Sequence, residues 1–215
     1  MWQLRAPQRN CVVVRESDVD NGQLIVFEGA DDAGKTVLSK AIAAEKVARG
    51  QRYQWHAFPG MAIGTLGYLV YRLHHDPASF GIERLTPSSL QALHIAAHLD
   101  AIESVIVPIL REGGNVILDR FWWSTWVYGT ADRVSPRLLR LLIDAEKSAW
   151  GEFLPSAAFF VTRGRPFDEV EDRRSALNIC YRELIKSEEH FYPIHVIENQ
   201  GTIADATRRV LAILG

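Results

Sequence analysis

Cysteine is nearly absent from this chain: Cys11 and Cys180 are the only two. So sparse a pair makes neither a disulfide framework nor a four-ligand zinc site, and it reads as inert thiols in a reducing compartment. Strong charge of either sign is also missing. The formal net charge is -2 and the pI is near 6.4. That argues against a general polyanion-binding surface, so a nucleic-acid partner is left only to a local basic cleft and is not favoured. No unbroken apolar run reaches the roughly 18 residues of a membrane span, and the first residues lack the basic-then-apolar layout of a secretory signal. No membrane association is expected, and the chain reads as cytoplasmic.

What remains is the material of an ordinary globular protein. The 215 residues are 47% hydrophobic and 23% charged, enough for one substantial α/β domain with no need of a second. Its organising stretch is LIVFEGADDAGKTVLSKAIAA, from Leu24 to Ala44. It reads as a buried strand, a glycine-bounded loop and a helix. Residues Gly29 to Thr36 fit GxxxxGK(S/T) at every fixed position, the phosphate-binding P-loop. Gly29 and Gly34 allow the chain to turn with positive φ and aim successive backbone N–H groups at a phosphate. Asp32, Ala33 and Val37 lend backbone to the same cradle. Lys35 reaches the outer phosphates, Thr36 can ligate Mg²⁺, and the helix N-terminus adds its partial positive charge. The stretch is a nucleotide phosphate site, with ATP and Mg²⁺ as the expected cofactors.

Downstream, strands and helices alternate. Strands are expected at Tyr53–Phe58, Asn115–Leu118, Ala157–Thr162 and Ile194–Ile197. Helices are expected from Lys35 with Leu38, Ile42 and Val47 inward, at Gly64–Leu73, from Ser88 or Ser89 through Leu110, at Ser135–Ala149, Ala176–Lys186 and Ile203–Leu214. The long helix shows Leu90, Leu93, Ala97, Ile102, Val105 and Ile109 as its apolar positions. Such βα units imply a P-loop three-layer α/β/α fold: a five-stranded, mainly parallel sheet with helices on both faces and the site at the strands' carboxyl ends. Residues 1–22 read as an N-terminal extension, with the β-prone Cys11–Arg15 as a candidate added strand. Residues 23–215 are expected to form the P-loop domain, with a lid at about 163–175.

NVIL running into Asp119 is the Walker B arrangement, which brings a carboxylate to the metal, and Arg120 beside it is a candidate phosphate clamp. FWWSTWVY (Phe121–Tyr128) divides between core packing and a wall for a base. His74-His75-Asp76 reads as a solvated helix end. His94 and His98 share a helix face, but HIAAH lacks the glutamate of HExxH and a third ligand, so they are placed in a pocket wall or on the surface rather than on a metal. In a pocket wall they would make activity change as pH crosses roughly 6 to 7. Arg163, Arg165, Arg173 and Arg174 lie among acidic residues, a solvated run or a source of charge for the moving phosphoryl group.

Four stretches in register resemble the thymidylate kinase family of nucleoside monophosphate kinases, from about Leu24 to the C-terminus. They are LIVFEGADDAGKT, the Phe58-Pro59 pair after the second strand, Asp119-Arg120-Phe121 with Ser124 and Tyr128, and the last helices with Tyr181 and VIENQGTIADATRRVLAIL. The resemblance implies that Lys35, Thr36 and the loop backbone hold the ATP phosphates and that Asp119 lies near the metal. It also implies that Arg120 grips the acceptor phosphate, Asp31 the acceptor sugar, and that Tyr128 lies over that sugar. Because Asp32 fills a slot that is Arg in some members, the catalytic arginine is expected from the lid, as Arg165 or Arg163.

The acceptor side departs from the family pattern. Pro59 is followed by Gly60-Met61-Ala62 where members carry a phosphate-binding Arg. His94 and His98 stand where members carry a base-stacking Phe and a base-reading Arg. Tyr128 runs directly into Gly129, without the family's Gln. The expected function is transfer of the γ-phosphoryl group of ATP to a nucleotide or nucleotide-like acceptor. The alternatives are a deoxynucleoside, a modified pyrimidine, a nucleic-acid hydroxyl or a non-nucleotide metabolite as acceptor, or an ATP-binding regulatory protein without catalysis. A homodimer is compatible with this reading.

Overall fold

The computed structural model describes residues 21–163 and 173–215, the side chains of Arg173 and Arg174 apart. The expectations for Cys11–Arg15 and for Arg165 fall outside that range. Five strands, β1 (Leu24–Glu28), β2 (Tyr53–Ala57), β3 (Asn115–Asp119), β4 (Ala157–Thr162) and β5 (Ile194–Glu198), make one sheet in the order β2-β3-β1-β4-β5. Every pairing is parallel. The central β1 is buried at all five positions, as a strand covered on both faces must be. Its residues alternate between two cores. Leu24 and Val26 join a core with α3 (Pro87–Ala101), α5 (Trp122–Ala131), α6 (Pro136–Trp150) and α7 (Arg173–Glu188). Ile25 and Phe27 face α1 (Lys35–Ala48) and α8 (Ile203–Leu214).

Two inward assignments are corrected. Val47 is 54% exposed, and the buried position of that turn is Lys46, whose ammonium donates to Gly215 O at 3.2 Å. From Ile42, a step of four returns to the same helix face, whereas a step of five overshoots it. On the long helix, Val105 is exposed while Ile106 and Val107 are buried. Here the run is not one α-helix: α3 passes through a π-helical turn at Ile102–Ile106 into α4 (Val107–Arg111). Pro108 has no N–H to give the preceding turn, and the widened turn moves the buried face by one residue.

The composite helix Pro87–Arg111 is long and apolar enough to cross a membrane by length and composition, although Gln91, His94, His98, Asp100 and Glu103 interrupt it and no unbroken apolar run of that length occurs. In the fold it spans the domain beside α2 (Leu66–His75), α5 and α6. The expected loop between α2 and α3 contains a 3-10 turn at Pro77–Phe80.

Candidate functional site

The P-loop connects β1 to α1 where the sheet's carboxyl edge meets the first helix. Two glycines are required here by close approach. A Cβ on Gly29 would stand 2.2 Å from Val161 O, and one on Gly34 would stand 2.4 Å from Asn199 Nδ2, at φ +93°. Asn199 in turn donates to Ala33 O at 2.9 Å and ties the loop to the end of β5. Asp32 takes φ +60° without being glycine. Lys35 is buried and donates to Ala30 O at 2.7 Å. Burial, with the nearby Arg120 charge, pushes its ammonium down to about 8, against the pull of Glu28, Asp119 and Asp31. Val37 is exposed on the first turn of α1.

Thr36 Oγ1 donates to Asp119 Oδ2 at 2.5 Å. The other oxygen, Asp119 Oδ1, is sealed from solvent and has no hydrogen-bond partner among the described residues. A hydroxyl and a carboxylate with an uncommitted oxygen are hard ligands of the kind Mg²⁺ takes, directly or through water. The residues present therefore fit the ion the P-loop implies.

The next shell is organised by Glu28, the last residue of β1, which has no exposed surface. Its carboxylate accepts from Phe121 N at 2.8 Å, Ser124 N at 2.9 Å, Ser124 Oγ at 2.9 Å, Tyr181 OH at 3.1 Å and Gly29 N at 3.2 Å. Burial raises its pKa, opposed by Arg120 and Lys35. Five donors, two of them backbone amides at the start of α5, offset a desolvation cost of roughly several kcal/mol. Tyr181 also donates to Gly29 O at 3.2 Å. A single carboxylate thus joins the P-loop, the start of α5 and the helix α7.

Arg120 stands between β3 and α5 at φ +84°. A non-glycine residue in that region is strained by roughly 1–3 kcal/mol and persists where its surroundings fix it. Arg120 N donates to Phe27 O at 2.9 Å, Nη1 donates to Ser124 Oγ at 2.9 Å, and Nη2 is paired with Asp31. The guanidinium lies 5.6 Å from the centre of the Tyr128 ring, whose hydroxyl accepts from Asp31 N at 3.2 Å. Burial, then the Asp31 charge, pushes the Tyr128 hydroxyl up to about 12. For Asp31, burial works upward but the Arg120 cation wins and holds its pKa below the usual range. Asp31, Arg120, Ser124 and Tyr128 are therefore brought together as one cluster.

The aromatic run divides by face: Phe121, Trp122 and Trp123 are buried in the core, and Tyr128 is half-buried beside Arg120. Arg163 lines a narrow crevice with Ala30–Ala33, Thr162 and Asn178.

On the other side of the cleft, β2 leads into Phe58, whose N–H donates to Asp119 O at 3.0 Å. The Phe58 ring is buried and stacks on His98 with centroids 4.2 Å apart, so it backs that ring from the core; the half-buried Pro59 follows it. His98 is itself buried and bonded to Glu146. His94, one turn before it on α3, is half-buried 6.4 Å from the His98 ring. His74 meets His94 edge-on at 5.5 Å, while His74, His75 and Asp76 are all exposed, so the end of α2 is the solvated helix end expected, with one ring against this wall. Burial, then His98, His74 and Arg120, push His94 down to about 3. This corrects the expectation of a pH step at 6 to 7 from His94, whose ring is neutral throughout that range. Among the described residues no cluster of three His, Cys, Asp or Glu side chains could hold a metal.

A family model described as thymidylate kinase matches residues 27–165. The chain belongs to the thymidylate kinase family. It is 30% identical over 174 residues to a thymidylate kinase of Dinoroseobacter shibae, covering 77% of this chain and 80% of that protein. It is 35% identical over 124 residues to one of Bartonella henselae, covering 57% and 55%. A crystal structure of thymidylate kinase from Ehrlichia chaffeensis superposes with a TM-score of 0.69 at 21% identity, over 91% of this chain and 100% of that one. The last likeness shows the shared α/β P-loop fold. As a member of the thymidylate kinase family the chain is a phosphotransferase of the nucleoside monophosphate kinase class, acting on small nucleotides.

Sequence reasoning missed Glu146, His98's partner 48 positions away, and Gln91, a buried polar residue of α3 whose side chain packs against Gly129. The signal available for Glu146 was an acidic residue on the apolar face of an amphipathic helix, between Ile143 and Trp150.

Proposed function

We propose that this chain transfers the γ-phosphoryl group of ATP to a nucleotide that presents a phosphate to Arg120. The observation that carries the reading is the Arg120–Asp31 pair at the mouth of the P-loop. In it a carboxylate occupies the place that an acceptor phosphate would take, and on its release Asp31 would turn to the sugar. Lys35 and the amides of Gly29–Thr36 orient the donor phosphates, and Thr36 and Asp119 would hold Mg²⁺. That ion, when bound, supplies charge neutralisation between the donor phosphates. Tyr128 would cover the acceptor sugar, while His94 and His98 line the wall beyond it. Arg163 or Arg165 would bring the lid's positive charge to the transferring group. Catalysis is then positioning and charge neutralisation, without a covalent intermediate. The expected place of action is the cytoplasm.

A second reading has its own observation: Gly60-Met61-Ala62 offers no cation after Phe58-Pro59, which favours an acceptor without a phosphate at that point, such as a deoxynucleoside. A panel of nucleosides, nucleoside monophosphates and a 5′-hydroxyl oligonucleotide, assayed for ADP release, separates the two. Turnover with a monophosphate and none with its nucleoside supports the first. The reverse overturns it.

A further inference from the structure

One peptide plane of the P-loop has little within the loop to fix its orientation: the one between Ala33 and Gly34. A trans peptide carries its C=O and its N–H on opposite sides. Turning this plane over exchanges which of the two faces the phosphate cradle, and it requires ψ at residue 33 and φ at residue 34 to reverse. Gly34 takes φ +93° and, as glycine, reaches a negative φ about as readily. The loop backbone holds neither end of the plane. Among the described residues Gly34 N has no backbone acceptor and Ala33 O has no backbone donor. The glycine that the motif requires thus leaves one of the loop's own amides able to face away from an anion.

Asn199 supplies the hold. Its side-chain amide donates to Ala33 O at 2.9 Å, across 166 positions of the chain, and a Cβ on Gly34 would run into the same amide. Asn199 is half-buried and is itself braced. Its N–H donates to Thr162 O at 2.7 Å, at the end of β4. Arg209 of α8 donates to the carbonyl of the preceding residue, Glu198, at 2.6 Å. A bond that only tied the loop to the end of β5 could finish on any outward carbonyl of the loop. This one finishes on the carbonyl whose plane the glycine leaves loose.

We infer that Asn199 is a positioning residue of the donor site: by anchoring Ala33 O it keeps the Gly34 N–H turned into the cradle, toward the donor phosphates. This rests on the ATP-donor reading above. The turned-over plane presents a carbonyl oxygen to an anion and withdraws an amide from it. A chain that spends part of its time in that form binds Mg·ATP less well by the fraction so spent. A carboxylate at position 199 does worse than leave the plane loose. It repels Ala33 O and accepts from Gly34 N–H, which holds the plane the wrong way round.

Ala33-Gly34 is the one Ala-Gly step in the chain. Labelling the full chain with ¹³C-carbonyl alanine and ¹⁵N-glycine therefore gives a single correlated amide peak for this plane. In the wild-type chain that proton is expected to move downfield when Mg·ADP binds, as it gains a charged acceptor. In Asn199→Ala the free-state peak should shift or broaden, and Mg·ATP affinity read by calorimetry should fall about fivefold to tenfold, the scale of one hydrogen bond. The acceptor's KM should hardly move. Asn199→Asp should lose about tenfold more affinity than Gln200→Glu, which adds the same charge one residue on. A role in stability alone would lower the melting temperature of Asn199→Ala and leave affinity and peak unchanged, and that result overturns the inference. So does a wild-type Gly34 peak that stays still while calorimetry shows Mg·ADP bound. If the wild-type chain binds neither Mg·ADP nor Mg·ATP, the donor reading fails and the positioning role fails with it.

Discussion

The donor and acceptor sides of this site are built by different means. On the donor side the functional atoms are mostly backbone, presented by a loop that two close approaches, at Val161 and Asn199, hold in place. On the acceptor side they are side chains on separate elements: Arg120 after β3, His74 on α2, His94 and His98 on α3, and Glu146 on α6. A backbone cradle depends on a few glycines and tolerates little change. A wall of side chains can be rewritten one residue at a time while the sheet and P-loop stay as they are. The difference would let a chain keep the P-loop of the thymidylate kinase family while the wall proposed for its acceptor comes to hold histidines.

The comparison can be broken most sharply at Lys35. Lys35→Ala is expected to lower turnover about a thousandfold or more with the circular dichroism spectrum and melting profile preserved, since it removes a charge aimed at the transferring group. Near-normal turnover in that variant would mean that the donor side is not what it is taken to be. Arg120→Ala comes next, with an expected loss of about a hundredfold in kcat/KM for a phosphate-bearing acceptor. Because Arg120 does not belong to the P-loop, Mg·ATP affinity measured by calorimetry should move much less. Equal losses on both substrates would erase the division between the two sides.

Tyr181→Phe strikes the junction between them. It removes the hydroxyl that meets Glu28 and Gly29 O, and about 1–3 kcal/mol of stability should go with it, read from urea unfolding. A change below the precision of that measurement would show the bond to be incidental.

Proton linkage gives the next test. Lys35 in the free protein titrates at about 8, while a bound phosphate favours its charged form. Binding of Mg·ATP above pH 8 should therefore take up a proton, seen by calorimetry in buffers of different ionisation enthalpy. Affinity should fall by up to about tenfold per pH unit beyond that point. Buffer-independent binding enthalpies at pH 9 would refute this.

The smallest effect belongs to His94. Its folded pKa is about 3 against an ordinary 6.5, so between those values the unfolded chain binds more protons. The contribution to stability is complete above about 6.5 and is lost as pH falls toward 3. His94→Phe should flatten the fall in melting temperature over that window; an unchanged slope would place the titration elsewhere.

Much of the donor side was legible in the sequence because its information is local. The run from Leu24 to Thr36 contains strand, glycine-bounded turn and helix start in chain order, and the structure has each of these there. Five parallel strands followed from apolar runs of the right length. The acceptor side was less legible because its pairings are remote. Nothing near His98 names Glu146, and nothing near Arg120 shows that Asp31, 89 positions away, would occupy it. Helix faces failed for two reasons: Val105 is exposed because a π turn departs from the ideal period before Pro108, and Val47 because the expected step of five residues itself overshoots the face of a regular helix. The shared helix face of His94 and His98 was readable. Their different fates, a buried ring locked to a carboxylate and a half-buried neutral ring, depend on what α6 and α2 bring alongside.

Glu28 has a consequence for how such an enzyme can change its substrate. The P-loop, the start of α5 with Arg120 beside it, and the helix α7 all take their position from one carboxylate at the end of the central strand. Neither α2 nor α3 is among its partners. The phosphate-handling parts therefore share a datum of their own, like instruments bolted to one bench. The wall proposed to face the acceptor can be replaced, one side chain at a time, without the bench being realigned.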